Sequence, residues 1–208
     1  MENDFDKLDF SRLNRKHHIT YGVVYGREKV VLIKAGLKGS CYGYDNKYLK
    51  LAHMIRDTYG YAVVCASNPC NAGSWYSPID GAIPQLQNAV DYCKKLFGFL
   101  PIIYVGTSNG AVMGLKGAHQ YREIKSVLAI NPVIPTNASA MKRGVKKLKF
   151  TPYIVFGSKD TSIKYLKLLW DFNAHLSIIS GQNHLFSNPN GTQLNTIIMN
   201  FIGGKPCI

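Results

Sequence analysis

Acidic side chains are scarce in this chain: 12 Asp and Glu stand against 25 Lys and Arg in 208 residues, which leaves a formal net charge of +13. Such an imbalance attracts anions at long range, so nucleic acid and anionic membrane surfaces come into consideration as partners. The densest basic run, Lys142-Arg143 followed by Lys146, Lys147 and Lys149, lacks the interleaved aromatics on which bases stack. It reads as a solvated basic face, with contact to an anionic substrate or polymer as the alternative. No specific nucleic-acid partner is expected. Long hydrophobic runs are missing too: nothing approaches the roughly 18 consecutive apolar residues of a membrane span. The polar opening MENDFDKLDFSRLNRKHH has no secretory character, so a soluble cytoplasmic protein is expected. The five cysteines, Cys41, Cys65, Cys70, Cys93 and Cys207, form no Cys-x-x-Cys pair, which argues against a zinc site and a disulfide framework. They are expected as reduced thiols, Cys65 and Cys93 acting as small hydrophobes on a strand and a helix. Neither a metal nor an organic cofactor is expected. Internal repeats, low-complexity tracts and long linkers are absent as well.

What is present is the composition of a globular protein, 46% hydrophobic and 18% charged. The length suits one domain, expected over residues 17–208 behind a polar N-terminal segment 1–16. Short apolar runs rich in β-branched and aromatic residues alternate with stretches of helical period, the pattern of an α/β fold wound on a mostly parallel sheet with helices on both faces. The predicted strands are Lys29–Lys34, Tyr61–Ala66, Pro101–Val105, Ser126–Ile130, Tyr153–Phe156 and His175–Ile179, whose continuous apolarity fits burial on both faces. Ile19–Tyr25 reads as an antiparallel edge strand turning at Gly26-Arg27. Apolar stripes predict helices through Leu51–Tyr59, Leu86–Phe97, Ile163–Trp170 and Leu194–Ile202, the last ending at Gly203-Gly204. Ser67–Ala82 and Pro132–Thr151, rich in Pro, Gly, Ser and Asn, read as loops.

In open α/β sheets ligands gather at the carboxyl ends of the strands. The strand Pro101–Val105 runs into Gly106-Thr107-Ser108-Asn109-Gly110 and then the helix-compatible run Ala111–Gln120. A G-x-S-x-G between strand and helix holds its serine on a strained turn whose neighbours have no room for side chains. By chance the pattern is an ordinary Gly- and Ser-containing loop, but here strand, elbow and helix occur in order. A serine hydroxyl needs an adjacent base to act as a nucleophile. Of the six histidines only His184 falls late in the chain after a strand, in Ser180-Gly181-Gln182-Asn183-His184. A carboxylate must in turn orient that imidazole. Asp160, in Gly157-Ser158-Lys159-Asp160, directly follows the strand Tyr153–Phe156, and its competing role is that of a helix N-cap. The position after Ser126–Ile130 holds Asn131, which cannot carry the compensating charge.

On GTSNG, FGSKD and GQNHLF, in the chain order Ser108, Asp160, His184, the sequence resembles the α/β-hydrolase superfamily over nearly its whole length. Within it the chain looks most like compact esterases and dienelactone-hydrolase-like members. Only residues 132–152 separate Asn131 from the next strand, which leaves little or no room for a lid. The resemblance implies that the loop Ala35-Gly36-Leu37-Lys38-Gly39-Ser40 stands for the family's H-G-x-x-G, with Ala35 in place of histidine. The backbone N–H groups of Leu37 and Asn109 would then form the oxyanion hole. It also implies that Asn68–Tyr76 borders the substrate cleft, with Trp75 and Tyr76 as pocket walls unless they merely pack, and Lys38 as a contact for an anionic substrate. The expected function is hydrolysis of a carboxylic ester or thioester through an acyl-enzyme on Ser108. A peptidase or acyltransferase would use the same triad, and a non-catalytic binding protein with a basic surface is the rival from another class. The expected partner is a small-molecule or acyl substrate, anionic ones included.

Overall fold

The computed structural model describes residues 19–68 and 78–207, and within the second span it gives side chains from residue 85 onward. The segment 1–16, Trp75 and Tyr76 lie outside the described residues. The apolar, β-branched runs form strands β1 (Tyr21–Val24), β2 (Arg27–Lys34), β3 (Tyr61–Ala66), β4 (Ile102–Thr107), β5 (Ile124–Ile130), β6 (Tyr153–Gly157) and β7 (His175–Ile179). They join in one seven-stranded sheet of order β1-β3-β2-β4-β5-β6-β7. β1 is the antiparallel edge strand expected, but it pairs with β3 rather than with β2, the strand that follows it in sequence, and the other pairs are parallel.

Side chains alternate across this sheet because successive strand residues point to opposite faces. Leu32, Val64, Tyr104 and Ala129 turn to one side, where they meet Leu86, Val90 and Cys93 of helix α2 (Pro78–Phe97) and Ala111, Val112 and Leu115 of α3 (Asn109–Gly117). Val31, Ile33, Cys65 and Val105 turn to the other, against Leu51 and Ile55 of α1 (Lys47–Tyr59) and Ile197 and Ile198 of α5 (Leu194–Ile202). The sheet is thus covered on both faces, and Cys65 and Cys93 are buried free thiols within these layers. Burial of this apolar surface, at about 25 cal/mol per Å², is the main force holding the layers together.

Four local expectations need correction. Residues 132–151 are not all loop: they contain helix α4 (Ala138–Val145), whose Met141 and Val145 are buried. At Gly144 a Cβ would lie 2.2 Å from Leu115 O, so the glycine lets α4 press on the C-terminal half of α3, the end away from Ser108. The stretch predicted as loop through Ala82 becomes helical at Pro78, the first residue of α2, where a missing N–H costs nothing. Thr161–Leu169 is a 3-10 helix rather than an α-helix. Ile163, Leu166 and Leu169 recur every three residues, the 3-10 repeat, and Trp170 falls outside the stripe at 90% exposed. Finally, β7 closes the sheet with a neighbour on one side only, and its Leu176 and Ile178 are 48% and 47% exposed instead of doubly covered.

Candidate active site

Because β2 through β7 run parallel, their carboxyl ends share one edge of the sheet, and the chain leaving each strand contributes to one cluster. Ser108 sits at the end of β4 in a sharp turn with φ 53° and ψ −116°, a conformation a non-glycine residue adopts only when its surroundings enforce it. Two groups do so here: Ser108 N donates to Ile130 O at 2.8 Å, and Ser108 O accepts from Val112 N at 3.2 Å. The flanking glycines are required by contact. A Cβ at Gly106 would lie 2.5 Å from Gly110 C, and one at Gly110 would lie 2.4 Å from Lys34 O.

His184, in the loop after β7, must cross the ends of β6 and β5 to reach Ser108. It does: His184 Nε2 lies 2.9 Å from Ser108 Oγ, and His184 Nδ1 is hydrogen-bonded to Asp160 Oδ2. An ionised carboxylate can only accept, so Nδ1 carries the proton and the Nε2 lone pair faces the serine hydroxyl. The Asp160 side chain is fully buried while His184 is partly open to solvent. The two roles considered for Asp160 coexist, one per oxygen: Oδ1 accepts from Ser162 N at 2.6 Å and caps the 3-10 helix, and Oδ2 holds the imidazole.

Of the remaining predicted residues, Leu37, Lys38 and Asn109 are described. Leu37 and Lys38 line a cavity of about 430 Å³ together with Ser108, His184, Tyr48 and Phe186. A Cβ on Gly36 would come within 3.1 Å of Ser108 Cβ, so the absence of a side chain there brings the following peptide beside the serine. Outside the helices and strands, no main-chain hydrogen bond among the described residues uses the N–H of Leu37 or Asn109. Asn109 itself does not line the cavity; its side chain accepts a hydrogen bond from Asn68 Nδ2 at 3.1 Å.

Three residues prominent here carried no sequence signal for the bonds they make. Asn68, buried after β3, donates its Nδ2 to Ala35 O at 3.2 Å as well as to Asn109. Its main chain also pairs with the same loop, through Asn68 N to Gly39 O and Lys38 N to Asn68 O. Asn131, buried at the end of β5 with φ 47°, donates Nδ2 to Asn183 O at 3.1 Å and His184 O at 2.9 Å and accepts from Gly157 N at 2.9 Å. The position that lacks an alternative carboxylate therefore fastens the histidine loop to β6. Lys34, fully buried, donates to Ser67 O, and burial brings its pKa down to about 7.

No family model matches the chain, and no curated protein matches it. Solved structures do. Dienelactone hydrolase from Anabaena variabilis is similar at 17% identity, with 97% of this chain and 96% of that one covered at a TM-score of 0.73. The chain has the α/β-hydrolase fold. Esterase Pf2001 of Pyrococcus furiosus shares that fold at 15% identity, covering 97% of this chain and 93% of its own with a TM-score of 0.71. So does Est1E of Butyrivibrio proteoclasticus in its ferulic-acid complex, at 16% identity, 90% and 95% coverage and a TM-score of 0.70. In this hydrolase fold β4 carries the serine turn, and the cluster described above occupies the carboxyl edge. Among the described residues no group of three or more His, Cys, Asp or Glu is placed to hold a metal, and no helix is long and apolar enough to cross a membrane.

Proposed function

We propose that this chain is a serine hydrolase that cleaves carboxylic esters or thioesters through an acyl-enzyme on Ser108. The observation that carries the proposal is the continuous hydrogen-bonded series from Ser108 Oγ through His184 to Asp160, assembled from three separate loops and opening on a cavity. In this reading Ser108 Oγ attacks the acyl carbon as its proton passes to His184 Nε2, and buried Asp160 stabilises the imidazolium that forms. The N–H groups of Leu37 and Asn109 hold the tetrahedral oxyanion, each donor contributing about 10²–10³ in rate. His184 returns the proton to the leaving oxygen or sulfur, and the acyl group stays on Ser108. Water, deprotonated by the same histidine, then frees the acid and restores the hydroxyl. The esterase and dienelactone hydrolase names of the fold's neighbours support ester chemistry for this chain as well.

Hydrolysis of short p-nitrophenyl esters tests this. Wild-type protein is expected to turn over at least one of them, and Ser108→Ala to lower the rate by about 10⁴-fold or more. Equal rates for the two proteins would contradict the assignment.

A further inference from the structure

The cavity beside Ser108 joins two kinds of surface. Leu37, Tyr44, Leu185 and Phe186 present apolar groups around it, the first three well exposed. Lys38 and Lys47 line the same cavity, and its lining holds no Asp or Glu among the described residues. Near Lys47 in the chain, Asp45 pairs with Lys50 at 2.9 Å and Asp57 with Arg56 at 2.8 Å, and beside the cavity Asp160 is held by His184 and Ser162.

Lys47 is placed unfavourably three times over. It is half-buried, and its desolvation lowers its pKa below the ordinary lysine value. It opens α1, where the helix dipole is positive and an acidic side chain is preferred, and Asn46 before it makes no side-chain cap. Its ammonium lies over the Tyr48 ring, 5.2 Å from the centroid, but no carboxylate is hydrogen-bonded or ion-paired to it among the described residues, although a partly buried ammonium gains most from an anionic partner. An anion on the bound molecule would relieve all three.

We propose that the substrate is an ester or thioester with an apolar arm that ends in an anionic group. The arm lies against Leu37 and Phe186 and its charge pairs with Lys47, with Lys38 at the same wall. This inference rests on the hydrolase reading and adds the substrate class. The overall excess of positive charge draws such a substrate toward the site from a distance.

Two matched pairs of esters test it and separate an anion on the acyl side from one on the leaving group. p-Nitrophenyl hydrogen glutarate is compared with p-nitrophenyl butyrate, and 4-acetoxybenzoate with its methyl ester. In at least one pair kcat/KM should favour the anion by about tenfold, and less as salt is added. Lys47→Met should bring that ratio toward one, Lys47→Glu should invert it, and Lys47→Arg, which keeps the charge, should retain it. Circular dichroism checks that each variant is folded. No preference for the anion in either pair, or the same preference in Lys47→Met and Lys47→Glu, overturns the inference. Labelling of Ser108 by a neutral fluorophosphonate in the same preparations tells two failures apart. A labelled protein without the preference overturns the anionic arm alone, and an unlabelled one overturns the hydrolase reading and this inference with it.

Discussion

At Asp160 two demands meet in one carboxylate. Oδ1 takes the Ser162 N–H that would otherwise be unpaired at the start of the 3-10 helix, which fixes the side-chain rotamer, and that rotamer aims Oδ2 at His184. The sequence offered the two as alternatives, because an aspartate that follows a strand and precedes a helical stripe suits either. Lys34 was not legible. Within KVVLIK it looks like the polar end of a strand, and only the packing of β2 between β3 and β4 encloses its ammonium. Its folded pKa of about 7 lies below the ordinary value of 10.5, so between those values the unfolded chain holds a proton that the native one does not. Stability contributed through this group therefore rises as pH increases from about 7 to about 10. Chemical denaturation across that range should show wild type gaining on Lys34→Met as pH rises. A constant difference between the two would contradict a lysine that is neutral when folded.

Between elements, two asparagines do the fastening. Asn131 ties the histidine loop to the ends of β5 and β6, and Asn68 ties the 35–39 loop to the start of α3, so both proposed oxyanion donors hang on one side chain. Asn68→Ala removes two of these bonds and leaves the main-chain pairs with Gly39 and Lys38 in place. For any ester that wild type hydrolyses, kcat should fall about tenfold to a hundredfold with KM little changed, because the loosened donors matter most when the oxyanion forms. A rise in KM with kcat preserved would make Asn68 a part of the substrate wall instead. Neither asparagine was readable, since each acts across neighbouring strands far apart in sequence. The strands themselves were readable from their apolar runs, and so were α1, α3 and α5. Helix α4 was hidden because it buries little more than Met141, Val145 and a glycine.

For the whole molecule, the alternation of strands and helices implied the α/β class and the edge at which a site would lie. The strand order was beyond reach, because crossover connections leave no mark of which strands become neighbours. That order decides the chemistry. β4 lies near the middle of the sheet, β6 and β7 follow on one side and β3 and β2 on the other, so base and acid approach Ser108 from one flank and the 35–39 loop from the opposite one. The excess of positive charge has the cavity lysines as its one assigned use.

Intact-mass analysis after exposure to a fluorophosphonate, with peptide mapping and Ser108→Ala alongside, tests the central claim without choosing a substrate. A single adduct mapped to Ser108 and absent from the alanine variant is the predicted result. No adduct, under conditions that fully label an esterase control, would contradict an activated serine here and leave Asp160 as a helix cap.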